Sequence, residues 1–260
     1  MRAFLPAFVL FVFGFAGCGD ASDKAVQPTP PETAPVEAVE FSEARIGDKR
    51  ATVCRVDIRK AHLQLFLRDD SGQPIKRFDR LAAMLKSRDQ KLVFAMNAGM
   101  YHADFSPVGL FVADGRELFP INTNNGSGNF FLKPNGVFVI TETGARVVET
   151  SEYSQIKERV TLATQSGPLL VHSGKIHPVF NANSESRLIR NGVGIPSPDA
   201  VVFVITEEPV NFHEFAIFFR DTLHCPDALF LDGTVSSLYS TKLTRSDAKV
   251  DLGTFIAITQ

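Results

Sequence analysis

The chain has 260 residues, a formal charge of −2, 44% hydrophobic and 22% charged residues, which are the figures of a folded globular protein and exclude a disordered chain. Lysine and arginine are scattered instead of striped, with no basic excess to pair with a phosphate backbone, so nucleic acid is not an expected partner. Binding has to come from a local site.

Arg2 and the apolar run 3–15, too short to span a bilayer comfortably, read as a signal peptide over residues 1–17. The run stops at Phe15-Ala16-Gly17-Cys18. Small residues before a cysteine resemble a lipobox, at which Cys18 would become the lipidated first residue; Phe15 stands where leucine is usual. An ordinary signal peptide with a chance cysteine is the alternative. After Cys18, residues up to 40 are rich in Pro, Ala, Glu, Thr and Ser without an apolar period, the composition of a disordered linker. The expectation is an exported, membrane-anchored lipoprotein of the periplasm or cell envelope, with one folded domain over residues 41–260. In an oxidising compartment Cys54 and Cys225 can form a disulfide closing a very long loop, or remain two buried thiols.

Residues 52–58 and 62–67 suggest two antiparallel strands around a short polar break. From 75 to 86, Phe78, Leu81, Ala82 and Leu85 recur at helical spacing with basic residues opposite, which predicts an amphipathic helix. A buried strand at 91–96 leads into Asn97-Ala98-Gly99-Met100-Tyr101. Further strands are predicted at 108–113, 129–133, 137–141, 145–149 and 160–164, and a hairpin at 169–171 and 175–176 through Ser173-Gly174. A second helix over 211–223, capped by Asn211, lies between apolar strands 200–206 and 228–231 and makes a βαβ unit whose strands can lie parallel. The fold class is α+β: a mixed, mostly antiparallel twisted β-sheet system with a few covering helices and this one βαβ unit near the C-terminus.

Five polar constellations follow strand candidates or sit in glycine-rich breaks, where backbone approaches a ligand closely. They are Asn97 to Tyr101; the uncharged run Asn122 to Asn129; Gln165-Ser166-Gly167-Pro168; Arg190-Asn191-Gly192-Val193-Gly194; and Asp232-Gly233 followed by hydroxyl residues including Ser236. Each also reads as a turn or surface loop with no ligand. Arg190, entering an apolar strand, calls for an anion, either a bound phosphate or an internal carboxylate such as Asp232. Asp232 ends an apolar run, where open α/β sheets place ligands. No nucleotide loop, nucleophile elbow, clustered histidines or acidic calcium loop is present, so no cofactor and no metal site is read from the spacing.

In order and spacing, the motifs at Asn97, Gln165, Arg190 and Asp232 resemble those of the phosphodiester glycosidase family, over about Lys91 to Tyr239. The chain looks most like a bacterial envelope branch of that family carrying Arg-Asn-Gly-Val-Gly and Asp-Gly-x-Val-Ser; Thr234 and Val235 depart from the Asp-Gly-Gly-Gly-Ser form of the better-known branch. The resemblance implies hydrolysis of a sugar-1-phosphodiester in envelope or exopolysaccharide metabolism, on a carbohydrate or phosphoglycan substrate. It implies catalytic roles for Asp232, Arg190 and Asn97, with Gln165, Ser166, Gly167, Asn191, Gly233 and Ser236 binding substrate. A lipoprotein that holds an envelope glycan without cleaving it is the competing class. A serine hydrolase built on Ser166 or Ser236 lacks a triad.

Overall fold

The computed structural model describes residues 38–260. The expected signal peptide, the lipidated Cys18 and the linker up to residue 37 lie outside the described residues. Among the described residues, seventeen strands form three sheets. The first runs in the order β1 (Val39–Ile46), β2 (Lys49–Asp57), β13 (Ala200–Thr206), β12 (Asn191–Ser197), β14 (Asp227–Phe230), β10 (Leu169–His172), β11 (Lys175–Ile176). The second is β16 (Arg245–Ser246), β15 (Leu238–Ser240), β4 (Leu92–Asn97), β17 (Phe255–Thr259), β3 (Leu63–Phe66). The third is β6 (Arg116–Phe119), β5 (Phe111–Ala113), β9 (Val160–Ser166), β7 (Gly136–Thr141), β8 (Gly144–Glu149). Every strand pair in them is antiparallel.

Alternation along the strands decides which face meets which layer. Cys54, Val193, Phe203 and Leu229 of the first sheet share one core with Phe94, Met96 and Ile256 of the second and Phe111, Phe138 and Leu162 of the third. The other face of the first sheet, through Val53, Val202, Val204 and Ala228, packs on Phe215, Phe218 and Phe219 of the segment that includes helix α2 (Phe212–Ile217). Helix α1 (Phe78–Lys86) covers the outer face of the second sheet with Phe78, Leu81 and Leu85. Gly194 permits the close approach of the α2 segment: a Cβ there would lie 2.6 Å from the Phe219 ring and 2.7 Å from Cys225 Sγ.

Several expectations need correction. The segments 52–58 and 62–67 are strands, but β2 belongs to the first sheet and β3 to the second. The break redirects the chain because the amides of Lys60 and Ala61 both donate to the Asp57 carbonyl. Strand β1 begins at Val39, inside the expected linker; its exposed Glu40, Glu43 and Arg45 hide it, as befits an edge strand. Residues 129–133 are not a strand: Asn129–Phe131 is a single 3-10 turn, and Pro134 offers no ladder donor. The βαβ unit has its two strands parallel in direction, yet they do not pair, because β12 lies antiparallel between them. The second helix shortens to α2, followed by a π-helical turn at Phe218–Thr222. Of the two alternatives for Cys54 and Cys225, the buried free thiols are found, in the cores on opposite faces of the first sheet.

The predicted cap is present: Asn211 Oδ1 accepts from the Glu214 amide at 2.9 Å, and its Nδ2 donates to the carbonyls of Ala182 and Ser184 at 3.0 and 3.3 Å. Asn211→Ala should therefore cost about 1–2 kcal/mol, seen as a Tm lower by several degrees in a thermal melt. Reductant should leave Tm unchanged within about 1 °C, whereas loss of a bridge across so long a loop would cost several kcal/mol.

Candidate functional site

The start of β12, the end of β14 and the end of β4 meet at one rim of the first two sheets. Two buried amides join them. Asn97 Oδ1 accepts from Asn191 Nδ2 at 3.0 Å and from the Ser237 amide at 2.9 Å, while Asn97 Nδ2 donates to the Asp232 carbonyl at 3.0 Å. Asn191 Oδ1 accepts the Asp232 amide at 3.1 Å. Asp232 is thus gripped by its backbone on both sides, before the 3-10 turn Gly233–Val235. Its carboxylate makes no ion pair among the described residues. Burial raises it from 3.8 to about 6, a rise that the Thr234 amide partly offsets.

Tyr101 stands within electrostatic reach of this carboxylate. Burial, then the charges of Asp232 and Asp251, push its phenol up to about 12, and its hydroxyl donates to the Asp251 carbonyl at 2.8 Å. The Ser236 hydroxyl, four residues beyond Asp232, is buried with no hydrogen-bond partner among the described residues, an uncommon state for a buried polar atom outside a functional site. Gly233 is held close: a Cβ would lie 2.8 Å from the Ile189 carbonyl.

The residues expected to touch substrate are brought to this rim, but most of their polar atoms serve the protein. Gln165 is 1% exposed; its Oε1 accepts from the amides of Leu110 and Asn122, and its Nε2 donates to the Asn122 carbonyl and Thr150 Oγ1. It anchors the polar loop 122–129. Ser166 is fully buried and its hydroxyl donates to the Leu231 carbonyl at 2.5 Å, tying β9 to the strand that delivers Asp232. Gly167 lies against Asn135 and the Phe130 carbonyl, and Gly99 against the Gln165 carbonyl, where a Cβ would come within 2.4 Å. Glycine there lets the 97–101 turn and β9 close up.

Arg190 departs furthest from expectation. It is 1% exposed, and no carboxylate pairs with it among the described residues. Its Nε donates to the Val210 carbonyl at 2.9 Å and its Nη2 to the Ser186 carbonyl at 3.0 Å, while the guanidinium lies 3.6 Å from the Phe212 ring centroid. Carbonyls and an aromatic face replace the expected anion. Burial lowers it to about 10, still charged at neutral pH. The ion pair with an internal carboxylate such as Asp232, the alternative to a bound phosphate, is not formed: neighbouring residues Arg190 and Asn191 send their side chains to different partners.

Tyr101 and Ser237 end two of the constellations, but the spacing gave neither a role: Tyr101 lies within reach of the Asp232 charge, and Ser237 contributes a backbone amide to Asn97. The spacing also missed one cluster of metal-ligating atoms, Glu149, Glu152 and His172, which lie within 4.8 Å of one another. His172 is 3.4 Å from Asp227 at the start of β14, whereas Asp232 follows that strand's other end, so the cluster is apart from the rim.

Residues 90–258 match the model of the phosphodiester glycosidase family. The chain is 32% identical to the uncharacterized protein YigE of Escherichia coli (strain K12) over 207 residues, 79% of this chain and 81% of that one. Its fold is similar to the zebrafish N-acetylglucosamine-1-phosphodiester α-N-acetylglucosaminidase catalytic domain, auto-inhibited by pro-peptide, with a TM-score of 0.59, 14% identity, and coverage of 87% of this chain and 84% of that one. It is also similar to a hypothetical protein from Synechocystis, with a TM-score of 0.51, 13% identity, and coverage of 85% and 61%. The matched residues take in β4 with Asn97, β9 with Gln165 and Ser166, and the whole Asn191–Asp232 junction. On the match to that model, the chain belongs to the phosphodiester glycosidase family.

Proposed function

We propose that the protein hydrolyses a sugar-1-phosphodiester, with Asp232 acting as the carboxylate that activates water or attacks the anomeric carbon. The observation that carries this reading is the Asp232 carboxyl itself: backbone-clamped at a junction of sheets, unpaired, and raised by burial to about 6, a combination found at reactive groups more often than at structural ones. The departing phosphomonoester has a second pKa of about 6, so it leaves without full protonation and asks little of a general acid. Asn97 and Asn191 hold Asp232 in place, and four residues on the Ser236 hydroxyl is buried without a hydrogen-bond partner among the described residues. Arg190 supports the neighbouring Ser186 and Val210 segments. With Cys18 lipidated, the reaction would take place at the membrane surface of the cell envelope on a carbohydrate or phosphoglycan.

The commitment of Arg190 to carbonyls and to Phe212 favours a second reading, a glycan-binding lipoprotein without turnover, because no guanidinium then faces a phosphate. A chromogenic sugar-1-phosphodiester separates the two: steady release by the purified protein supports the hydrolase, and retention without release the binder.

For the hydrolase, kcat/KM should rise with pH through about 6 as Asp232 ionises, and Asp232→Asn should lower it by about a thousandfold or more. A profile flat from pH 4 to 8, or an active Asn variant, rejects the role. The same residue sets a stability test. Its folded-state pKa lies above the ordinary 3.8, so its ionisation destabilises the fold progressively as pH rises from about 4 to 6 and fully above that. Asp232→Asn should then raise stability by about 2 kcal/mol at pH 8 and leave it nearly unchanged at pH 3.5, measured by denaturant melts at the two pH values.

A further inference from the structure

We propose that Glu149, Glu152 and His172 hold a zinc ion, or a divalent ion of the same coordination chemistry, that clips the third sheet to the first; nothing in this depends on the hydrolase reading. The side chains come from both sheets. Glu149 ends β8 and Glu152 lies in the 3-10 turn Thr150–Gln155 that follows it, whereas His172 ends β10 of the first sheet, near the start of β14. One donor atom from each falls within 4.8 Å of the other two.

The turn orients one carboxylate. Glu152 Oε2 accepts from the Glu149 amide at 3.2 Å, which leaves Oε1 to face His172 Nε2 at 3.7 Å. No lysine or arginine pairs with Glu149 or Glu152 among the described residues; Arg146, on the same β8, is paired with Glu158 instead. Two carboxylates without a cation beside them offset the charge of a divalent ion.

His172 adds an observation that two acids alone would not give. Its Nδ1 is buried and makes no hydrogen bond among the described residues, and Asp227 Oδ1 stands 3.4 Å from it, held by the Ser173 amide at 2.8 Å. A histidine ligand gives one ring nitrogen to the metal and turns the other N–H to a carboxylate, which fixes its tautomer. Asp227 is on the Nδ1 side and Glu152 on the Nε2 side, the two places that such a ligand requires. With the proton on Nδ1, Nε2 turns a lone pair toward Glu152 Oε1, and a positive charge has to lie between them.

Separation and ligand type select the ion. The 3.7 Å between Nε2 and Oε1 is beyond the about 2.7–3.2 Å of an N–H···O bond. It is close to the roughly 3.4–3.6 Å between two ligand atoms that each lie about 2.0–2.1 Å from one zinc ion. Small rotations of the half-buried Glu149 and Glu152 side chains close the rest. Calcium and magnesium take oxygen ligands, whereas an imidazole with two carboxylates suits zinc and its neighbours. A cavity of about 370 Å3, lined among others by Glu152, His172, Ser173 and Asp227, gives the ion a way in and leaves a coordination position to water.

The test is calorimetric titration of the whole, untagged protein, stripped with EDTA and dialysed, with zinc chloride and separately with calcium and magnesium chloride. Zinc should bind once per chain at about 1 μM or tighter, and at a hundredfold excess over Kd it should raise Tm by about 5 °C or more. Calcium and magnesium should do neither at the same concentrations. His172→Ala should abolish both effects. Glu152→Gln, which keeps an acceptor for the Glu149 amide, and Asp227→Asn, which alters only the partner of the other ring nitrogen, should each weaken zinc binding by about tenfold or more. No zinc binding, zinc binding that survives His172→Ala, or equal binding of calcium or magnesium overturns the proposal. Should His172→Ala not fold, Glu152→Gln decides, and undiminished affinity there overturns it as well.

Discussion

Two buried amides, Asn97 and Asn191, hold the rim of this molecule together. Each has to donate and accept at once: Asn97 takes two N–H groups on its oxygen and gives its nitrogen to the Asp232 carbonyl, and Asn191 gives to Asn97 while accepting from the Asp232 amide. A carboxylate in either place would accept but could not donate, leaving a buried group unpaired at a cost of about 1–3 kcal/mol. It would also add a negative charge beside Asp232. An amide is the side chain that closes this junction without altering its charge, and through it the first and second sheets are joined at the point where the acid emerges.

The electrostatics of the rim follow from this neutrality. Asp232 is raised by desolvation with no cation to lower it, and Arg190 is lowered by desolvation with no anion to raise it. They are adjacent to the same pair of strands, yet each solves burial separately, the acid through backbone clamping and partial exposure, the base through two carbonyls and an aromatic face. An ion pair between them would have fixed Asp232 as a carboxylate far below neutral pH. Keeping them apart leaves a group that titrates near 6.

Much of this architecture was legible in the chain. Strands such as β4, β7 and β13 carry continuous apolar or β-branched runs, and the Asn211 cap and the Ser173-Gly174 hairpin are local signals whose geometry is decided within a few residues. The motifs at 97 and 232 also meet at one rim, with Asn191 of the motif that begins at Arg190. What they did not disclose is what each atom does there. Gln165 and Ser166 look like ligand contacts because polar groups beside glycines usually are exposed, and only the tertiary fold shows that loop 122–129 and the Leu231 carbonyl take up their bonds. Arg190 misled for a related reason. The rule that a buried guanidinium needs an anion omits carbonyl oxygens and phenyl rings, and Phe212, which stacks on it, is 22 residues away in sequence. Edge strands β1 and β6 escaped because their exposed residues are charged.

The single raised acid bears on which bond such a site can break. Ordinary glycoside hydrolysis uses two carboxyl groups, one of them held protonated to deliver a proton to the leaving oxygen. Among the described residues, Asp232 is the carboxyl group pushed up, and Asp251, the other acid that acts on Tyr101, is paired with Lys76 at 3.5 Å. If Asp232 is the base or nucleophile, no second carboxyl group is pushed up beside it among the described residues, a composition that would make a poor catalyst for an alcohol leaving group. A phosphate monoester carries its own stabilised charge as it departs and removes the need for the second carboxyl group. On the proposed reading, the bond that suits one carboxylate in a neutral, amide-lined junction is the one between a sugar carbon and phosphate, the bond for which the family is named.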